Sequence, residues 1–411
     1  MNIKSLILLL FLLPLTACSQ VEKIRAVYLD NPSYNIDIQW VGKKNLNYAI
    51  YFDTEKNYHK NNCLRNVKLA DTSYKYKGMY HYFVKLKNLT PDTKYYFQIQ
   101  NNNYKSPIYW FKTMPLNPER ISIIAGGDSR THRKIRRKAN IAVAKLQPDF
   151  VIFDGDFTTT SSAKEWKKWL DDWQLTIADS GHIIPLVIVQ GNHEQSKDIE
   201  KIFQVKHNAY YDIKIGNNFL QIFALNTQEK IPGAQTQWFI NELKKSNAHW
   251  KIVAYHKPMR PHYSEKKEGI AQIRYWAYPI YNYGVQLVLE GDTHVCKWTY
   301  PIKPDTTAPA KYQSFLRDDK NGTVYIGEGT WGAPLRQVDD IKPWTRDAAA
   351  INQFKWLFID KKQIQIRTVL YENAENITGL KYNNRYTIPK GIKFWQPPHG
   401  SLLTIKYHNK N

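Results

Sequence analysis

The sequence predicts a two-part chain: a small all-β sandwich, then a larger α/β domain in which buried strands alternate with amphipathic helices. Three observations carry this. Between about Ile24 and Thr113, short runs of alternating polarity (YNIDIQW, NYAIYF, YFVKL, YYFQI, IYWFKT) are separated by turn material such as DNPS, DTEKN and TPDT. KTMPLNPER, Lys112 to Arg120, holds two prolines that discourage helix and strand alike and mark a linker. Beyond it the strands become continuous apolar runs, as expected where a parallel or mixed sheet is covered on both faces. At ~100 to 200 residues per domain, 411 residues that are 43% hydrophobic accommodate two domains or more.

Taken in order, MNIKSLILLLFLLPLTACSQ places Lys4 before an apolar run, Leu6 to Leu15, shorter than the ~20 residues a membrane-spanning helix needs. A secretion signal over residues 1–17 is the expectation. Its end, Leu15-Thr16-Ala17-Cys18, resembles the bacterial lipoprotein box. That resemblance implies a lipid on Cys18 as the new N-terminus, anchoring to a membrane through this lipid, and release to an outer membrane. The other reading is a free cysteine behind an ordinary signal.

Residues 18–115 are expected to form the sandwich. LTPDTKYYFQI resembles the fibronectin type III signature through Leu89, Pro91, Thr93 and Tyr95. It implies a corner tyrosine at Tyr95, bonded back to the backbone, and a core position for Trp40. The larger domain is expected over residues 120–375. Its first helix follows Arg130, with Ile135, Ala139, Ala142, Val143 and Leu146 at helical spacing before Pro148 ends it. The second opens on Ser162 and Glu165, a capping-box pair, and sets Trp166, Trp169, Leu170 and Trp173 on one core-facing stripe. Residues 376–411 are read as a C-terminal extension, a final strand or appendage.

Fifty-eight Lys and Arg against 36 Asp and Glu give a net charge of +22, a field that draws anions and disfavours cationic ligands. With export expected, small phosphorylated or anionic substrates, anionic polysaccharide and lipid headgroups are favoured over nucleic acid, which is not expected as a partner. An evenly basic surface that only keeps the protein soluble explains the charge as well. Besides Cys18 there are only Cys63 and Cys296, in different expected domains, so no disulfide framework is predicted.

Five apolar strands end in polar groups: ISIIAGGDSR at Asp128, FVIFDGDFT at Asp156, IIPLVIVQGNHE at Asn192 and His193, WKIVAYHKP at His256, and VQLVLEGDTH at Asp292 and His294. In open α/β sheets ligands bind beyond the carboxyl ends of the strands, which would bring all five clusters to one rim. A single Asp after a strand is commonly a helix cap, and a lone His is usually a hydrogen-bonded core residue. Five in series, with glycine just before four of them, point instead to metal. Three carboxylates, one amide and two imidazoles suit zinc, iron or manganese better than calcium or copper(I), with no thiolate unless Cys296 swings in. So many donors exceed what one such ion takes from protein, and two divalent ions are expected, with Asp156 the best bridging ligand. Two cations ~3.5 to 4 Å apart clamp a phosphoryl group, acidify water and steady the entering and leaving oxygens. Hydrolysis of a phosphate ester is the expected chemistry.

The order Gly-Asp, Gly-Asp, Gly-Asn-His-Glu, Val-x-x-His and Gly-x-x-His resembles the metallophosphoesterase (calcineurin-like) superfamily, most closely the purple acid phosphatases, over roughly Ile24 to Val369. The resemblance implies a metallophosphoesterase-type β-sandwich flanked by helices, preceded by a small fibronectin III-like sandwich. It implies Asp128, Asp156 and His294 on a first metal, and Asp156, Asn192, His256 and Asp292 on a second. His193 matches the family histidine that contacts the substrate phosphate or protonates the leaving group, a role imidazole can fill. Glu194 would orient a neighbour.

Three positions depart from the pattern. Thr159 stands where purple enzymes place a tyrosine ligand, so the coloured phenolate centre should be missing. Asp292 replaces the first histidine of Gly-His-x-His, adding negative charge at the second metal, which favours harder ions and offsets Lewis acidity. Arg130 replaces glycine or histidine; a guanidinium cannot ligate metal, so it either grips a phosphate oxygen or pairs with a nearby carboxylate. His132 is a further candidate for substrate contact, RKIRRK reads as a solvated helix face, and GEGTWGAPLR either lines the pocket or stacks on the core. The expected function is an exported phosphomonoesterase. A phosphodiesterase or nucleotidase on the same centre is one alternative, and a catalytically impaired surface lipoprotein that binds anionic polymers is the other.

Overall fold

The computed structural model describes residues 20–206, 208–307 and 315–408. The expected signal and the lipid-bearing Cys18 lie outside the described residues. Among those described, no helix is long and apolar enough to cross a membrane.

The N-terminal strands form two facing layers. Val21–Val27, Ile36–Gly42, Met79–Leu86 and Thr72–Tyr76 make one, and Ala49–Thr54 with Asn66–Leu69, Lys94–Asn101 and its two further partners the other. Trp40 fills the space between them, fully buried and stacked on Tyr82 at 5.7 Å. The Tyr95 hydroxyl accepts the Thr90 N–H at 2.9 Å, closing the corner. Residues 113–119 carry no helix or strand, as their prolines require.

Strand pairing runs across this linker. Val27 pairs in parallel with Leu186, so the first N-terminal strand continues the sheet of the larger domain. In spatial order that sheet contains Gln363–Leu370, Phe354–Asp360, Arg120–Gly126, Phe150–Phe153, Leu186–Ile188 and then the N-terminal strands, eleven in all. The C-terminal segment joins it too, since Leu403–Lys406 and Lys393–Phe394 both pair with Gln363–Leu370.

A second, seven-stranded sheet carries Leu220–Ala224, Trp250–Ala254, Leu287–Glu290 and Val324–Gly327 as parallel neighbours. Its inner face packs on the first sheet: Ile123, Val151, Ile252, Leu289 and Ile326 share one core. Helices cover the outer faces. Arg133–Leu146 and Ala163–Trp173 lie on the first sheet, the latter burying Trp166, Trp169 and Trp173 completely. Ala234–Lys245 lies on the second, over an apolar cluster that includes Phe239, Leu243, Trp276 and Val288. The layer order helix, sheet, sheet, helix explains the continuous Val and Ile runs, because inner strands such as Phe150–Phe153, Leu186–Ile188 and Leu287–Glu290 are dry on both sides. The capping box forms by half. Ser162 caps the Glu165 amide at 3.3 Å, while the Glu165 carboxylate accepts the Thr160 N–H at 2.7 Å instead of returning to Ser162.

Candidate metal centre

The five polar strand ends belong to two sheets, which corrects the expectation of one open rim. Asp128, Asp156 and the Asn192-His193 pair follow adjacent parallel strands of the first sheet, whereas His256 and the Asp292-His294 pair follow adjacent strands of the second. The two sheets face each other, so their carboxyl ends meet at the edge of the sandwich.

Four of these residues sit in the left-handed backbone region: Asp128 at φ 56°, Asp156 at 55°, Asp292 at 68° and His294 at 61°. Such a conformation costs a non-glycine residue roughly 1–3 kcal/mol and persists only where surroundings enforce it. Here backbone hydrogen bonds do so, from Asp128 N to Gly155 O at 2.9 Å, Ala333 N to Asp128 O at 2.7 Å and His294 N to Glu328 O at 2.7 Å. Two glycines are required by close approach. A Cβ on Gly191 would lie 2.2 Å from the Asp156 nitrogen, and one on Gly329 2.2 Å from an Asp128 carboxylate oxygen.

Both histidines are oriented in the same way. His256 Nδ1 is 2.8 Å from the Asp154 carbonyl and His294 Nδ1 is 2.9 Å from the Pro334 carbonyl. A carbonyl only accepts, so each Nδ1 carries the proton and each Nε2 turns a lone pair inward. His256 Nε2 then lies 3.2 Å from Asp156 Oδ1 and 3.1 Å from Asn192 Oδ1, and His294 Nε2 lies 3.2 Å from Asp128 Oδ1. Asp128, Asp156 and His294 form one group, and Asp156, His256 and Asp292 another, with the ligating atoms of each group within 4.8 Å of one another. Asp156 is shared.

The electrostatics point to missing positive charge. Burial opposes protonation of His256, yet the Asp156, Asp128 and Asp292 carboxylates raise its pKa above the usual value. Burial and the Asp128 carboxylate push Asp154 well up, and burial with Asp156 pushes Glu194 up to about 8. Asp128 Oδ1 and Asp154 Oδ1 are buried with no hydrogen-bond partner. Buried carboxylate oxygens without donors are costly unless a cation takes them. The donor set of carboxylates and inward-facing imidazoles therefore fits divalent metal.

The remaining candidates take defined places. His193 is half-buried, with Nδ1 2.6 Å from the Thr159 carbonyl and Nε2 3.7 Å from Asp156 Oδ2. The Arg130 Nε is 3.3 Å from Asp156 Oδ2 and its Nη2 is 3.2 Å from His294 Nε2. Glu194 accepts the amides of Asp156, Gly191 and Thr158 at 3.0, 3.1 and 3.2 Å, bracing the loop that presents Asp156. His132 is exposed, its amide held by Gly332. Cys296 is buried beside Lys355 at 3.0 Å and enters neither donor group.

Sequence reasoning missed several groups. Lys266 reaches Asp292 Oδ1 at 2.6 Å, and Arg336 donates to the Asp292 carbonyl at 3.0 Å. Burial would raise the Asp292 pKa, but His256 and Lys266 hold it below the usual range. Asp154 was visible in DGDF next to Asp156; nothing in SEKKEG singles out Lys266. RKIRRK is not simply a solvated face, because Arg133, Arg136 and Arg137 converge on buried Asp172 at 2.8, 2.6 and 3.0 Å. GEGTWGAPLR fills both roles considered for it: Trp331 packs on Phe153 and Phe354, while Gly329 and Arg336 reach the centre.

Residues 126–296, which contain all six donors, match the calcineurin-like phosphoesterase family. The class is therefore a protein of metallophosphoesterase fold. Residues 21–113 match the purple acid phosphatase N-terminal domain, so the chain carries that domain ahead of a calcineurin-like phosphoesterase domain. It is 23% identical to purple acid phosphatase 15 of Arabidopsis thaliana over 53% of this chain and 49% of the relative. To purple acid phosphatase 1 of Ipomoea batatas it is 25% identical, over 63% of this chain and 60% of the relative. The chain thus spans 49% to 60% of the length of these curated relatives. A solved purple acid phosphatase from yellow lupin (Lupinus luteus) seeds shares the fold, with a TM-score of 0.71 at 13% identity, over 86% of this chain and 72% of that one.

Proposed function

We propose that this chain is an exported hydrolase of small phosphate monoesters that works with two divalent ions, Fe, Zn or Mn, and is tethered to an outer membrane through a lipid on Cys18. The observation that carries the catalytic part is the paired imidazoles, each locked through Nδ1 to a backbone carbonyl so that Nε2 faces a shared aspartate. The six-residue donor set and the match to purple acid phosphatases support it.

In this reading Asp128, Asp156 and His294 hold one ion, and Asp156, Asn192, His256 and Asp292 the other. The ions supply Lewis acidity, drawing charge from the phosphoryl oxygens and acidifying the attacking water. The protein supplies the rest. Arg130, already turned toward the cluster, binds a phosphoryl oxygen through its guanidinium. His193 is held by the Thr159 carbonyl so that Nε2 can pass a proton to the departing alcohol oxygen. Glu194 keeps the Asp156 loop in place. With threonine at 159, no phenolate is available and the protein is expected to be colourless.

The test is metal analysis with an aryl phosphate assay on the full chain loaded with each metal in turn. Two ions per chain and phosphate release, both lost in Asp156→Asn and His256→Ala, support the reading. A folded protein that holds two ions and releases no phosphate from any ester would leave it as a binding lipoprotein.

A further inference from the structure

Beside the metal centre opens a cleft of about 120 Å³ that the proposed chemistry does not use. Arg130 and Thr159 form its inner end, and both also touch the centre, Arg130 through Asp156 and Thr159 through His193. The cleft therefore starts where the departing group of a bound ester would lie. Arg133, Arg136 and Lys168 line the remainder, with Glu165 the single carboxylate among its walls.

The charge is unbalanced. Asp172, behind the wall, is the common partner of Arg133, Arg136 and Arg137, so one carboxylate answers three guanidiniums. Glu165 is occupied by the Thr160 amide and hydroxyl at 2.7 and 2.8 Å. Lys168 is exposed and has no ion-pair partner among the described residues. Fixed cations in a concave site raise the local concentration of anions, and guanidiniums bind phosphate through paired bonds. At ~30 Å³ per water, the space equals roughly four waters, suited to one compact anion.

We propose that the cleft binds a second phosphate on the leaving group, so that the preferred substrates are small bisphosphates. This rests on the hydrolase reading above. Arg133 and Lys168 are then specificity-determining residues, and RKIRRK supplies two of the cleft's four cations, Arg133 and Arg136.

The experiment uses the metal-loaded full chain with two matched pairs of compounds. Propyl phosphate is compared with propane-1,3-diyl bisphosphate as substrate, and propylphosphonate with propane-1,3-diyl bisphosphonate by calorimetric binding. Wild type is expected to favour the doubly charged member at least tenfold in kcat/KM and in Kd. Lys168→Ala and Arg133→Gln should each weaken the doubly charged member at least fivefold more than the singly charged one. Equal losses on both members, or no preference in wild type, overturn the inference. If neither ester is hydrolysed, the hydrolase reading fails, and the phosphonate pair still decides the cleft: a preference that the two variants remove supports it, and its absence refutes it.

Discussion

Lys297→Met tests a fully buried ion-pair triad of the second sheet. Lys297 is 1% exposed, with Nζ 2.5 Å from Glu290 Oε2 and also paired with Glu328. Glu290 leads directly into Gly291-Asp292, and the Glu328 carbonyl receives the His294 amide, so the triad braces both ends of the metal-binding turn. Methionine keeps most of the volume and removes the charge. Deleting one partner of a buried ion pair costs about 3–5 kcal/mol, because a carboxylate is left unpaired. Burial alone would raise the pKa of Glu328, but Lys297 and His262 together hold it at about 2 against an ordinary 4.5. A depressed carboxylate stabilises above its unfolded value of 4.5, and the gain disappears as pH falls through about 2. In the variant, burial prevails and Glu328 favours its protonated form. The stability gap should be full at neutral pH and narrow in acid. Urea unfolding followed by tryptophan fluorescence at several pH values measures it. A loss under about 1 kcal/mol at pH 7, or a gap that widens in acid, refutes the reasoning.

Three further outcomes are expected. Tyr95→Phe removes the hydroxyl that accepts the Thr90 amide, a loss of about 1–3 kcal/mol visible as a lower Tm in scanning calorimetry with metal content unchanged. Asp292→His alone leaves the Lys266 ammonium unpaired beside an added imidazole and should lower the second ion's occupancy; adding Lys266→Met should restore it, and equal metal contents in both variants would contradict the pairing. Of the two cysteines described, exposed Cys63 should react with a thiol reagent in the native protein and buried Cys296 only after unfolding, as counted by mass spectrometry.

Much of this arrangement was legible because it rests on local rules. Apolar runs that stop at Gly-Asp or Gly-Asn-His marked the strand ends, and the tryptophan spacing 166, 169, 173 marked a helix face that is indeed buried. The corner at Tyr95 followed from its turn signature. What stayed hidden is set by partners distant in sequence. No periodicity tells that Phe150–Phe153 pairs beside Leu186–Ile188 while Trp250–Ala254 and Leu287–Glu290 lie in the opposite layer. A single lysine has no period at all: nothing local to Lys266 or Lys297 tells that the fold sets each against buried carboxylates. Arg136 looked equally ordinary, yet it is buried because Asp172 from the neighbouring helix meets it there.

The parallel pairing of Val27 with Leu186 also bears on how the polypeptide is assembled. The strand Val21–Val27 cannot complete its pairing until a segment far downstream has been made, so the sandwich and the larger half must mature together. A fragment that starts after the linker would leave Leu186–Ile188 as an open edge, a template for adhesion between copies, directly upstream of Asn192 and His193. The front module thus acts as a permanent edge guard for the strand that leads into Asn192, and cutting it away should trade solubility for little gain in size.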